Sequence, residues 1–172
     1  ILLEVMDADH NAVSFIYSLF SSFGSGLVPP GTGYTLQNRG GLFSREPGHA
    51  NVVEPHKRPF HTIIPAMAFK DGEFFMTFGA MGGSVQPQQH VQIFLNVVEF
   101  GMEVQEAIEA PRVSTWGFPN SFWPHAYNPG FVGVEGRIDT GVFADLRKRG
   151  HQVEVWDDFT PRMGCLCAIH HA

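Results

Sequence analysis

The architecture of the chain turns on Glu73-Phe74-Phe75-Met76-Thr77-Phe78-Gly79-Ala80-Met81-Gly82-Gly83-Ser84. The segment from Glu73 to Gly79 is rich in aromatic and strand-favouring residues and reads as a β-strand. Beyond it, Gln88 to Gly101 carries Val91, Phe94, Leu95 and Val98 at the spacing of one helix face. A strand therefore enters, two glycines turn the chain, and a helix leaves. Adjacent glycines reach positive φ and let a bound atom approach the backbone. The helix start adds unpaired N–H groups and a positive dipole end. Such a unit suits a carboxylate, a phosphate or an oxyanion, though the same residues also make an ordinary tight turn.

Upstream, Ile1–Met6 and Ala12–Leu19 form a predicted hairpin across the polar turn Asp7-Ala8-Asp9-His10-Asn11. Tyr34 to Asn38 reads as a short strand. Arg39 to Arg58 is irregular and long, the kind of loop that is functional or mobile. Phe60 to Phe69 resumes a strand pattern, with Pro65 at an edge or bulge, and Lys70-Asp71-Gly72 turns the chain into the Glu73 strand. Downstream, Glu103 to Glu109 is a second helix stopped by Pro111. Arg112 to Gly130 shows no periodicity. Phe131 to Glu135 is a strand, Gly141 to Arg149 a helix capped by Thr140, and Gln152–Trp156 and Cys165–Ile169 are further strands. Local pairing predicts largely antiparallel sheets with helices on their faces, an α+β layered domain.

At 172 residues the chain reads as a single domain, 1–172, and its 44% hydrophobic content supplies a core. No run of eighteen apolar residues predicts a membrane span. A net charge of −6 without a basic cluster argues against nucleic acid as a partner. Cys165 and Cys167 are too close for an ordinary structural disulfide, and with few ligand types near them beyond His170 and His171 no metal site is expected. Because a strand begins at Ile1, the expectation is that something upstream was removed by processing or truncation.

An ordered set of segments carries a resemblance. Val5-Met6-Asp7-Ala8-Asp9-His10-Asn11-Ala12-Val13-Ser14, Tyr17-Ser18, Phe23-Gly24-Ser25-Gly26, Lys57-Arg58-Pro59, Met81-Gly82-Gly83-Ser84 and Ala110-Pro111-Arg112 together resemble the small subunit of γ-glutamyltransferases (γ-glutamyltranspeptidases). The resemblance covers nearly the whole chain. It implies an N-terminal-nucleophile hydrolase fold, an αββα four-layer sandwich of which this is the small-subunit half. It implies a self-cleaving precursor, a large subunit from that precursor as partner, and no metal or organic cofactor. The new N-terminal Thr would be nucleophile and, through its α-amine, its own base. Alignment on Asp7 places that Thr just before Ile1.

Carried over by position, Ser18 matches the hydroxyl residue that contacts the nucleophile's amine. Gly82 and Gly83 match the pair whose N–H groups form the oxyanion hole. Thr62 matches one of two adjacent substrate-holding serines, with His61 as its neighbour. Three positions depart from the family. Phe20 stands for an Asn, Arg39 for a Gln, and Leu42 for an acid that meets the substrate's ammonium group. These changes resemble the divergent branch of γ-glutamyltransferase-like proteins and cephalosporin (glutaryl) acylases. Arg39 suits an acyl group with a carboxylate and no ammonium.

The expected function is cleavage of a γ-glutamyl or similar acyl amide, glutathione included, by hydrolysis or transfer through a Thr acyl-enzyme. A cephalosporin or glutaryl acylase is the alternative, and a non-catalytic homologue binding a small acidic ligand the second. The compartment is left open between cytoplasmic and exported. Some residues have structural readings alongside functional ones. His61 either polarises a carbonyl or is satisfied locally. Gln86 to His90 faces a cleft or packs. Arg112 touches substrate or makes an ion pair. Trp116, Phe118, Phe122, Trp123 and Tyr127 wall a pocket or an interface with the large subunit.

Overall fold

The computed structural model describes residues 1–121 and 124–171, so Phe122 and Trp123 lie outside the described residues. The chain forms two compact units, Ile1 with Ile16–Ile63, and Leu2–Phe15 with Ile64–Ala172.

The larger unit is built on the strand that runs from Glu73 into the Gly82-Gly83 turn. β1 (Leu2–Met6) and β2 (Ala12–Ile16) form the predicted hairpin. Asp7 makes its turn, accepting the N–H groups of Asp9 and Asn11 on Oδ1 at 2.9 Å each and the Asn11 amide on Oδ2. β3 (Ala66–Lys70) and β4 (Glu73–Met81) pair antiparallel across Asp71-Gly72, both at positive φ as a tight primed turn requires. β8 (Cys165–His170) pairs antiparallel with the other edge of β4. The helices α1 (Gln86–Val98) and α2 (Val104–Glu109) cover one face of this sheet, around a core of Met76, Phe78, Ile93, Val97 and Ala107. On the other face the hairpin packs so closely that a Cβ at Gly79 would lie 2.9 Å from the Leu2 side chain. There Glu4 accepts the Ser14 hydroxyl at 2.9 Å and the Thr77 hydroxyl at 2.5 Å. Burial raises the Glu4 pKa, and these two bonds oppose the shift.

The buried face of α1 differs from the predicted one. Val91, Leu95 and Val98 are exposed, whereas Gln89, Ile93 and Val97 are buried. The helix carries apolar residues on more than one side, so periodicity gave its existence without its rotation. Gln88 and Gln92 explain the rotation. The Gln88 amide accepts the Thr115 N–H at 2.7 Å and donates to the Thr115 carbonyl at 3.1 Å. Gln92 does the same with Val113, both at 2.9 Å. Four helical residues rise about 6 Å, close to the span of two strand residues, so one helix face mimics a neighbouring strand. Gln86 to His90 is thus a packing and pairing segment.

The partner of those glutamines is β5 (Val113–Thr115), a strand that aperiodic sequence concealed. It pairs antiparallel with β6 (Phe131–Glu135), and β6 pairs parallel with β7 (Gln152–Trp156). The parallel pair follows from the crossover through α3 (Thr140–Lys148). Asp139, rather than Thr140, caps that helix, its Oδ1 accepting the Gly141 N–H at 2.7 Å.

The smaller unit has little regular structure. The strand expected over Tyr34 to Asn38 is absent among the described residues, and Arg39–Leu42 forms a 3-10 turn. Asparagine side chains splint the loops instead. Asn38 Oδ1 accepts the Ser21 N–H at 3.1 Å, and Asn51 donates to the Leu42 carbonyl at 2.7 Å while accepting the Phe60 N–H at 2.9 Å.

Candidate active site

In the smaller unit Arg39 gathers three of the residues singled out from sequence. Its Nη2 donates to Ser18 Oγ at 3.0 Å, its Nη1 donates to Thr62 Oγ1, and its guanidinium lies 5.0 Å from the centroid of the Phe20 ring. Arg39 is only 3% exposed, and burial lowers its pKa from the ordinary arginine value without neutralising it. Among the described residues no carboxylate pairs with it. A guanidinium out of water normally demands such a partner. Hydroxyls and a ring face are its company here.

Ser18 Oγ also accepts the Phe20 N–H at 3.0 Å. With two donors aimed at its oxygen, the one hydroxyl hydrogen is left to point elsewhere. Phe20 holds φ +77°, an uncommon conformation for a large side chain, which turns its ring over Arg39. Next to Ser18, Tyr17 and Ile1 exchange hydrogen bonds, Ile1 N to Tyr17 O at 2.9 Å and Tyr17 N to Ile1 O at 3.0 Å. In an antiparallel pairing of this kind the position before Ile1 falls opposite Ser18. Leu42 is half-buried at the end of the 3-10 turn, and its backbone carbonyl accepts from Asn51. His61 is exposed and makes no hydrogen bond with Arg39, Ser18 or Thr62.

In the larger unit Gly82 (φ +149°) and Gly83 (φ +64°) turn the chain from β4 into α1 by way of a 3-10 turn, Gly83–Val85. Both are exposed, and among the described residues neither N–H is taken by a backbone carbonyl. A Cβ on Gly82 would lie 2.8 Å from the Val85 side chain and 3.0 Å from Gly164 Cα, so the turn admits no larger residue there. Arg112 makes the ion pair that was one of its two sequence readings, with Glu135 at 3.2 Å. Trp116, Phe118 and Tyr127 are exposed aromatics. Glu135 and Gly164 were not singled out from sequence. The single signal for Gly164 was its place just before a predicted strand. No group of three or more metal-ligating side chains forms among the described residues, and no helix among them is long and apolar enough to cross a membrane.

The profile of the family described as gamma-glutamyltranspeptidase matches residues 2–171, and the chain belongs to that family, corresponding to its small-subunit region. It is 44% identical over 165 residues to the glutathione hydrolase-like YwrD proenzyme of Bacillus subtilis (strain 168), covering 96% of this chain and 30% of that protein. It is 40% identical over 170 residues to the oxamate amidohydrolase proenzyme of Klebsiella pneumoniae, covering 97% of this chain and 30% of that one. The solved cephalosporin acylase from Bacillus halodurans superposes with a TM-score of 0.85 at 39% identity, covering 99% of this chain and 30% of that structure. The chain thus spans about 30% of the length of the curated relatives it matches. The α+β, N-terminal-nucleophile hydrolase fold class expected from the resemblance is that of these neighbours.

Proposed function

We propose that residues 1–172 act as the small-subunit part of an amidohydrolase or acyltransferase whose nucleophile is a Thr directly before Ile1. The observation that carries this is the pairing of Ile1 with Tyr17, which sets the preceding position opposite Ser18. The resemblance gives that Thr two roles. Its hydroxyl attacks the amide carbonyl, and its α-amine takes the hydroxyl proton. The amine must be neutral to do so. A Ser18 O–H free to donate, backed by the Arg39 cation, favours the neutral amine over ammonium. The resemblance assigns the carbonyl's negative charge to the N–H groups of Gly82 and Gly83. Collapse returns the proton to the departing amine and leaves a Thr ester. Water or an amine acceptor then cleaves that ester by the same steps in reverse.

The substrate reading follows from charge. Among the described residues Arg39 has no carboxylate partner, and Leu42 offers no acid, so an acyl group with a carboxylate and no ammonium is favoured over γ-glutamyl. Oxamate, in the name of one relative, has that composition. Arg39 is almost enclosed, so it acts on the carboxylate through its charge and through Thr62. His61, exposed beside Thr62, is assigned to the acyl-amide substrate's outer side, and Phe20 and Leu42 to its apolar wall. A glutaryl acylase is the second reading, favoured by the acylase superposition. The partner is a large subunit from the same precursor. The outward face of the β1–β2 hairpin, with Leu3, Val5, Val13 and Phe15 exposed, supports such a partner.

The test is N-terminal sequencing and intact mass of the expressed precursor, followed by kcat/KM for oxamate-type, glutaryl and γ-glutamyl amides. Cleavage to a chain starting with Thr before Ile1, and preference for the acids lacking ammonium, is the expected result. An uncut precursor sinks the enzymatic reading, and a γ-glutamyl preference sinks the substrate reading alone.

A further inference from the structure

The Gly82-Gly83 turn has a backing. Gly164 closes the 3-10 turn Pro161–Met163 with φ +69°, and a Cβ there would lie 1.7 Å from the Met81 carbonyl oxygen and 3.1 Å from Gly82 Cα. The two backbones touch with no side chain between them. Contact of this kind transmits displacement, because packed atoms cannot interpenetrate. It also transmits orientation. The Met81 carbonyl and the Gly82 N–H belong to one planar trans peptide, so fixing the direction of the first fixes the direction of the second.

Gly164 is in turn fixed by Arg112. Arg112 Nη1 donates to the carbonyls of Met163 at 3.3 Å and Gly164 at 3.1 Å. Its Nη2 donates to Glu135 Oε1 at 3.2 Å, and its backbone N–H to Oε2 at 3.1 Å. Arg137 reaches the same carboxylate at 2.5 Å and lies 3.7 Å from the centroid of the Phe159 ring. Glu135 is fully buried and Arg112 is 8% exposed. Directed bonds out of water hold a guanidinium at one angle, whereas apolar packing would let it slide.

We propose that Arg112, oriented by Glu135, is a positioning residue for the oxyanion turn. It clamps the Met163 and Gly164 carbonyls, and Gly164 sets the Met81–Gly82 peptide whose N–H faces the developing charge. The inference rests on the oxyanion reading of Gly82 and Gly83. It predicts that Arg112 acts on the transition state and leaves substrate binding alone.

The experiment uses the full processed protein with Arg112→Met, Arg112→Lys and Gly82→Ala. Kinetics are read on a carboxylate-bearing acyl anilide, with the affinity for a boronic acid analogue that makes a tetrahedral adduct with the nucleophile, and with thermal unfolding. Arg112→Met is expected to lower kcat about 10²-fold with KM moving less than about threefold. Boronate affinity should fall in parallel with kcat/KM, while affinity for the carboxylate product stays. Should Arg112→Met not fold, Arg112→Lys keeps the charge beside Glu135, loses the two-carbonyl fork and carries the same expectation. A loss matched by the unfolded fraction, with boronate affinity intact in the folded part, overturns the proposal. If Gly82→Ala weakens the boronate and the Arg112 variants do not, positioning fails and the oxyanion reading stands. If Gly82→Ala, whose Cβ would meet Val85 at 2.8 Å and Gly164 Cα at 3.0 Å and so must displace the turn, leaves the boronate unaffected, the oxyanion reading fails and the proposal falls with it.

Discussion

Arg39 and Arg112 are both nearly enclosed, at 3% and 8% exposure, and the molecule surrounds them differently. Arg112 meets Glu135, a carboxylate shared with Arg137, and donates from Nη1 to two backbone carbonyls. Arg39 meets two hydroxyls and an aromatic face. A buried cation with its own carboxylate has its charge matched within the chain and acts by holding backbone in place. A buried cation with neutral partners keeps an unspent field, which is a reason for a site to retain it at a cost in desolvation. Burial alone therefore does not distinguish scaffold from site. The partner list does.

Four measurements break or sharpen this contrast. Glu135→Ala leaves the buried Arg112 and the half-buried Arg137 without their carboxylate and is expected to cost about 3–5 kcal/mol in urea unfolding. A cost under about 1 kcal/mol would mean that the Arg112 cluster needs its carboxylate no more than Arg39 does. Arg39→Met should do the opposite. Stability stays level or rises, while kcat/KM for a carboxylate-bearing amide falls about 10²-fold. A melting point that drops without a change in specificity would make Arg39 architectural. Thr62→Val keeps the shape and removes one acceptor from Arg39, for about 1 kcal/mol of stability. If its catalytic loss equals that of Arg39→Met, the charge acts wholly through Thr62.

The smallest effect concerns Glu4, a partly buried acid whose hydrogen-bond partners, like those of Arg39, include two hydroxyls. Burial raises its pKa above 4.5, so the folded chain holds this proton more tightly than the unfolded chain does. Its favourable contribution is complete below pH 4.5 and is lost as pH rises through the raised value. Glu4→Gln is therefore expected to melt higher than the native protein at neutral pH and to lose that advantage in acid. A melting difference that stays constant between about pH 3 and pH 8 would contradict this.

Much of the element list was readable in the chain. The Asp71-Gly72 turn, the strand into Gly82-Gly83 and the strand–helix–strand end follow from turn chemistry and spacing, while the parallel pairing of that end came from the structure. The rotation of α1 was not readable, because Val91, Leu95 and Val98 fit a helix face as well as Ile93 and Val97 do. β5 was hidden because its edge pairs with glutamine side chains of α1, a partnership that no strand pattern announces. Ser18, Arg39 and Thr62 were picked out by resemblance. That they share one hydrogen-bond cluster, with separations of 21 and 23 residues, could not be read from spacing.

What the sequence determined by itself is local: which residues turn, which run extended, and which positions match the γ-glutamyltranspeptidase pattern. Those properties depend on backbone freedom and side-chain type within a few residues. The tertiary structure decided which charges are matched. It gave Arg112 a carboxylate 23 residues away and gave Arg39, among the described residues, two hydroxyls and a ring. Whether a buried charge is spent or unspent depends on what the fold brings within about 4 Å of it, and at that range the chain order carries no information.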